Sequence, residues 1–287
     1  MVKSSLAPVV NDKSSVDDLA ECGFKTETVT QPDGTERTVL IPLTEAEFLH
    51  PKEGYHLPNT TFHDRIAGDV RDMLTRRYDN NSEVGVYRDL LIKWDIANLG
   101  DSCPDTFVVF GIQNKEQDRA TFVVAREEVR PALVVEVVSP RYRKADRETK
   151  VVLYAQAKVQ EYVILDRRKY RGQVRDEVLG YRLVSDRYQP ITPDDDGRIL
   201  CDTVGLWISL QDGCLVMEDA LSGDRLPTSL ELQAERDLAQ QQAAQAQQQA
   251  AQAQQQAVEA QQQAADLAAL LVRYQERFGE LPDSNVD

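Results

Sequence analysis

The chain has 287 residues, 33 Lys plus Arg against 48 Asp plus Glu, a formal charge of -15 and 41 % hydrophobic residues. That is enough apolar material for one large or two small folded domains, and it excludes a disordered or fibrous chain. Apolar runs such as Ala132 to Val138 fall far short of the roughly 20 residues a membrane helix needs, and no charged-then-apolar signal segment opens the sequence. Cys22, Cys103, Cys201 and Cys214 stand at wide, irregular spacings that suit neither a zinc site nor a disulfide framework. A reduced, cytoplasmic protein without membrane contact is expected. The acidity argues against non-specific nucleic-acid binding, but it sits mostly in the flanks: 4 basic against 9 acidic residues in 1–50, and 3 against 9 from residue 229 onward.

In chain order, residues 1–20 lack periodicity and read as a loose leader. Lys25 to Thr30 and Thr35 to Ile41 form β-prone arms around Gln31-Pro32-Asp33-Gly34, a hairpin signal. Thr44 with Glu47 makes a capping box for a short helical turn. Thr61 to Tyr78 carries Ile66, Val70, Met73 and Leu74 on one helical face behind an Asn59 or Thr60 cap. Strands are expected at Val84 to Trp94, Thr106 to Phe110 and Leu133 to Val138, then a charged helix from Arg143 to Lys158 and a buried strand at Tyr162 to Leu165. The order helix, three strands, helix, strand specifies a mixed α/β domain. Gly180 to Val184 and Gly205 to Leu210 read as peripheral strands, with a loop at Asp194 to Gly197.

The C-terminal segment is a different polymer. From Asp237 it runs in units of seven, DLAQQQA, AQAQQQA, AQAQQQA, VEAQQQA, ADLAALL, and the third and seventh places give Ala239, Ala243, Ala246, Ala250 and onward to Leu267 and Leu271. Alternating steps of four and three define a heptad seam, and Gly279 stands where a helix would end near Phe278. Alanine buries little area, so association should be weak in the middle and strongest at Leu267 to Val272. A solitary solvated helix is the competing reading.

There is no G-x-S-x-G elbow, no P-loop and no GxGxxG. What remains is carboxylates at strands. Asp105 precedes the apolar strand Thr106 to Phe110, and Glu136 lies inside Leu133-Val134-Val135-Glu136-Val137-Val138, where an ionised group needs compensation. That compensation is a solvent-facing edge, an arginine, or a hard cation held by carboxylates. Strand alternation puts Val134 and Val138 on Glu136's face, so a cooperating lysine must come from another element, and the helix that follows offers Lys144 and Lys150. There Asp146, Lys150 and Tyr154 form one i, i+4 stripe, which could equally be an exposed ion pair.

The stretches PDTFVVFG, RPALVVEVVSP and RYRKADRETKVVLYAQAKVQEYVILD resemble the Uma-two family of restriction-endonuclease-like proteins, within the PD-(D/E)xK nuclease superfamily. The resemblance spans roughly Tyr55 to Leu210 and extends to the heptad tail. Its specific part is E-V-V-S-P followed by D-x-x-x-K-x-x-x-Y and E-Y-x-I-x-D; the dipeptide Pro-Asp recurs at Pro32, Pro193 and Pro282 and carries nothing alone. The resemblance implies a restriction-endonuclease-like mixed β-sheet core of the order derived above. It implies Asp105 and Glu136 as ligands of Mg²⁺ or Mn²⁺ and Lys150 as catalytic lysine, replacing the superfamily lysine where this chain has Val138. Asp89, Asp146 and His63 are possible support, and Val163 stands where an aromatic is usual.

The expected organisation is a leader and hairpin extension in 1–50, a nuclease domain in 51–228 and a long coiled-coil helix in 229–287. The expected function is a metal-dependent DNA endonuclease that associates with itself through residues 230–278. A locally basic stretch, Arg141, Arg143, Lys144, Arg147, Lys150, Arg167, Arg168, Lys169 and Arg171, would give it weak non-specific affinity for DNA with strong salt sensitivity. The alternative is a non-catalytic, oligomerising interaction protein that retains the nuclease fold.

Overall fold

The structure, a computed structural model, describes residues 9–10, 19, 22–58 and 60–279, at positions 9, 10, 169 and 170 the backbone alone. The expected leader in residues 1–20 thus lies almost wholly outside the described residues. The chain divides into two compact units, Met1–Ser229 and Leu230–Asp287.

In the first unit, β1 (Val9–Val10), β2 (Phe24–Thr30) and β3 (Glu36–Pro42) form a small sheet in the order β1-β3-β2. The β2–β3 hairpin turns where expected: Gly34 takes φ +82°, and Asp33 accepts the Thr35 backbone N–H at 3.0 Å, the local bond that makes Asp a turn residue. Helix α1 (Glu45–Leu49) starts on a full capping box between Thr44 and Glu47. Helix α2 (Thr61–Arg77) is capped by Thr60, whose hydroxyl accepts the His63 N–H. It buries Ile66, Ala67, Val70, Met73 and Leu74, each large side chain contributing about 1.5–3 kcal/mol.

The central sheet holds six strands in the order β11-β10-β9-β8-β6-β4. Strand β4 (Val84–Arg88) pairs antiparallel with β6 (Thr106–Phe110), β6 antiparallel with β8 (Pro131–Val137), and β8 parallel with β9 (Glu161–Tyr170). The single strand expected over Val84 to Trp94 is broken. Asp89 adopts φ +49°, and Ile92–Lys93, β5, pairs instead with β7 (Phe122–Val123), which a short helix α3 (Val124–Glu127) follows. Strand β9 and β10 (Gln173–Val184) form a long hairpin turned at Arg171 and Gly172, both with positive φ, as a two-residue turn requires. Strand β10 is therefore internal, not peripheral, and β11 (Arg187–Ile191) is the edge. Strands β12 (Ile199–Cys201), β13 (Leu206–Gln211) and β14 (Cys214–Asp219) make a separate antiparallel sheet.

The β8–β9 connection departs from a plain helix. It opens as a 3₁₀ turn at Pro140–Tyr142, widens to a π-turn at Ala145–Thr149, and only then becomes α4 (Lys150–Gln156). The Lys150 N–H reaches Ala145 O, five residues back.

Strand alternation separates two cores. One face of β8 turns Leu133, Val135 and Val137 toward α2 and the small sheet of β12 to β14. The other turns Val134 and Val138 toward Tyr154, Leu153 and Tyr162. Glu136 belongs to that second face by its pleat, which places a carboxyl at the end of an aromatic-lined core.

The described residues of the second unit form one helix, α5 (Ser229–Phe278, its first residue being the last of the first unit), with no buried residue. It ends where expected: Gly279 takes φ +82° and its N–H donates to Gln275 O at 3.0 Å. The seam continues past Leu271 in the same steps to Tyr274 and Phe278, whose rings lie 5.0 Å apart. From Leu238 to Val258 the helix carries no charged residue.

Candidate active site

The candidate side chains, carried by α2, by β8, by α4 with the π-turn before it, and by the residues flanking β4 and β6, meet in one cavity of about 320 Å³. Asp105 stands at the mouth of β6, 8 % exposed. Its Oδ2 accepts the Val137 N–H at 2.7 Å and lies 3.1 Å from His63 Nε2 in the first turn of α2. Burial alone would raise this carboxyl, but His63, then Lys150 and the Val137 amide, hold it below the usual range. Asp105 in turn outweighs the burial of His63 and keeps the imidazole above its ordinary value.

Glu136 is 2 % exposed. Its Oε1 accepts the Tyr154 hydroxyl at 2.6 Å and lies 3.0 Å from Lys150 Nζ. Lys150 also pairs with Asp146 Oδ1 at 2.9 Å, so the stripe Asp146, Lys150, Tyr154 faces inward and is no exposed helical pair. The π-turn sits under that stripe, a distortion frequent at functional sites. Burial, with Asp105 and Asp146 nearby, pushes the Glu136 carboxyl up to about 8 against the pull of Lys150. Asp146 is raised for the same reasons, while the surrounding carboxylates overcome burial and keep Lys150 charged.

With its carboxyls all ionised the site would hold more negative charge than Lys150 and His63 balance, which is why Glu136 and Asp146 are raised, and one buried carboxylate oxygen, Asp146 Oδ2, has no hydrogen-bond partner. An oxygen-rich, electron-rich pocket of this kind suits a hard divalent cation that takes one or two carboxylates and completes its shell with water. Asp105 and Glu136 are the two that line the cavity from adjacent strands. Among the described residues no group of three or more His, Cys, Asp and Glu side chains converges in the manner of a metal cage.

Asp89 lines the same cavity but pairs with Arg88 at 3.0 Å and is largely exposed. The part of it that is shielded from water, then Asp105, raises its carboxyl all the same. Cys103 also lines the cavity; burial, then Asp89 and Glu136, push its thiol up to about 12, away from the thiolate form that a nucleophile needs.

Two features escaped the sequence reading. The ring of Phe48 faces Lys150 from a segment with no pattern linking it to the motif. The basic stretch is also largely neutralised from within: Arg143 and Arg147 share the buried Asp166, Arg147 and Arg168 pair with Glu177, and Arg167 with Asp176. Arg171 forms the β9–β10 turn, and the side chain of Lys169 lies outside the described atoms. Arg141 and Lys144 remain exposed. A signal was present, because Asp166 closes the E-Y-x-I-x-D motif and the β10 acids face β9 in register.

No curated protein matches the chain. A solved structure titled a putative nuclease belonging to DUF820, from Anabaena variabilis, is 12 % identical and covers 57 % of this chain and 91 % of its own, with a TM-score of 0.39. The profile of the Uma2 family, described as "Putative restriction endonuclease", matches residues 56–211. That span is more than half of the chain and includes every strand of the six-stranded sheet, so the chain belongs to the Uma2 family of restriction-endonuclease-like proteins.

Proposed function

We propose that the protein is a metal-dependent endonuclease that hydrolyses phosphodiester bonds in DNA, with Mg²⁺ or Mn²⁺ held by Asp105 and Glu136 and with Lys150 as the catalytic lysine. The observation that carries this reading is the meeting of Asp105, Glu136 and Lys150 in one cavity, from β6, β8 and the start of α4. When bound, the cation supplies Lewis acidity at a phosphate oxygen and acidifies a water. The chain's own groups do the rest. Lys150 offers a fixed positive charge to developing negative charge at phosphorus, and Asp146 and Glu136 hold it there. Tyr154 donates to Glu136 and fixes that carboxyl's orientation, while the Val137 amide and His63 do the same for Asp105. Asp89 lies at the exposed rim of the cavity.

Wild-type protein should nick supercoiled plasmid with Mg²⁺ or Mn²⁺ and stop when EDTA is added. Glu136→Gln, close in shape, should lower the rate by about 10²–10³-fold, the loss typical of one electrostatic group in a catalytic site, with an unchanged circular dichroism spectrum. Equal rates for wild type and Glu136→Gln would end the catalytic reading.

The internal pairing of Arg143, Arg147, Arg167 and Arg168 favours a second reading, a non-catalytic interaction protein that retains the fold. On either reading the chain acts as a homo-oligomer joined through residues 230–278, supported by the exposed Leu267, Leu271, Tyr274 and Phe278 along one seam. Among the described residues no helix is long and apolar enough to cross a membrane.

A further inference from the structure

The segment ahead of the family-matched residues enters the site at one point. Phe48, in the last turn of α1, is 8 % exposed, and Lys150 Nζ stands 4.7 Å from its ring centroid. The same ring stacks on Tyr142, with centroids 4.1 Å and planes 12° apart. Tyr142 is itself held: its hydroxyl lies 2.8 Å from Cys22 O and 2.7 Å from Leu43 O. Glu47, beside Phe48, bonds Lys25 of β2 at 2.8 Å and closes the capping box on Thr44, so α1 is tied to the hairpin as well as to the 3₁₀ turn.

Lysine is a point charge on a flexible four-carbon stem, and a useful position for it must be imposed. Glu136 and Asp146 take the ammonium from two directions. Two acceptors leave the stem free to swing about the line between them; an aromatic face, attractive to a cation, removes that freedom without adding a competing acceptor. We propose that Phe48 is a positioning residue for Lys150, its ring face fixing the ammonium beside Glu136. The segment before residue 56 then completes a site whose charged members all lie inside residues 56–211. Tyr55, at the boundary, lines the same cavity, which agrees with this segment forming a wall of the site. The catalytic consequence rests on the nuclease reading; the contact itself does not.

Two measurements on the full chain separate them. In protein labelled with ¹³C-lysine, the Lys150 ε-methylene signal, assigned by its loss in Lys150→Arg, should lie upfield of the exposed lysines, shifted by the ring current of Phe48. It should return to the common position in Phe48→Leu and stay upfield in Phe48→Tyr. In plasmid cleavage, Phe48→Leu should lower kcat by up to about 10²-fold, as for a displaced catalytic group, with KM for DNA held, and Phe48→Tyr should restore kcat. A wild-type Lys150 signal at the ordinary position overturns the proposal whether or not Phe48→Leu folds. So does a Phe48→Tyr variant as impaired as Phe48→Leu. A wild type that cuts no DNA overturns the nuclease reading instead, and the resonance then decides the ring contact alone.

Discussion

Lys150 is the residue on which the charge balance turns. It is nearly buried, and Glu136 and Asp146 both depend on it. Removing one partner of a buried ionic group costs about 3–5 kcal/mol, because the others are left uncompensated. Lys150→Ala should therefore lose stability as well as activity, and a charge-preserving Lys150→Arg less. The loss should be smaller at pH 5 than at pH 9.5. Both carboxyls are already raised in the folded state, so a proton can replace the missing cation below their raised values and cannot above them. Urea melts at the two pH values in EDTA check this; a loss that is independent of pH would contradict it. At this scale the sequence was informative about identity and silent about surroundings. An ionisable group inside Leu133 to Val138 announced itself by the cost of burying it, and spacing alone set Asp146, Lys150 and Tyr154 in line. Nothing in the spacing disclosed that Asp105 would take the Val137 amide, because that bond joins residues 32 positions apart.

At the scale of elements, local signals with a physical cause carried through. The turn at Asp33-Gly34, the capping box at Thr44 and the Gly279 terminus are each set by a few neighbouring atoms. The failures have a common source in long-range pairing: β10 is internal because β11 pairs outside it, and the Val84 to Trp94 strand divides because Ile92 finds Phe122. Helix α1 carries an acid-sensitive anchor. Its Glu47 carboxyl is drawn down to about 2 by Lys25 and the Thr44 amide, below an unfolded value near 4.3. A depressed carboxyl adds stability above the unfolded value and loses it as pH falls through the folded one. The stability gap between wild type and Glu47→Gln should be full at pH 6 and close as the pH is lowered from about 4 toward 2, read by thermal melts; a constant gap would exclude the anchor. For α5, Leu267→Glu with Leu271→Glu should reduce the mass seen by light scattering while helicity persists, and an unchanged mass would favour the solitary helix.

Across the whole molecule, the net charge of -15 and the paired arginines set the terms for the proposed binding of DNA. Each phosphate neutralised by a free cation adds about -0.9 to the slope of log K against log salt. Four of the basic residues expected to supply that slope already serve Asp166, Asp176 and Glu177. The salt dependence should accordingly be shallow, not steep as the sequence implied, with a slope of only a few units in fluorescence anisotropy titrations; a slope near that of strongly basic DNA-binding proteins, about -10, would show that those pairs open on binding. The two units also answer differently to the solvent. Between Leu238 and Val258 the long helix offers nothing for a proton or a salt ion to act upon, since every residue there is Ala, Gln, Leu or Val. Acid and ionic strength therefore reach the first unit while passing over the middle of the helix. In the far-ultraviolet spectrum that stretch supplies a constant background, against which the titration of the unit holding the buried carboxylates can be followed.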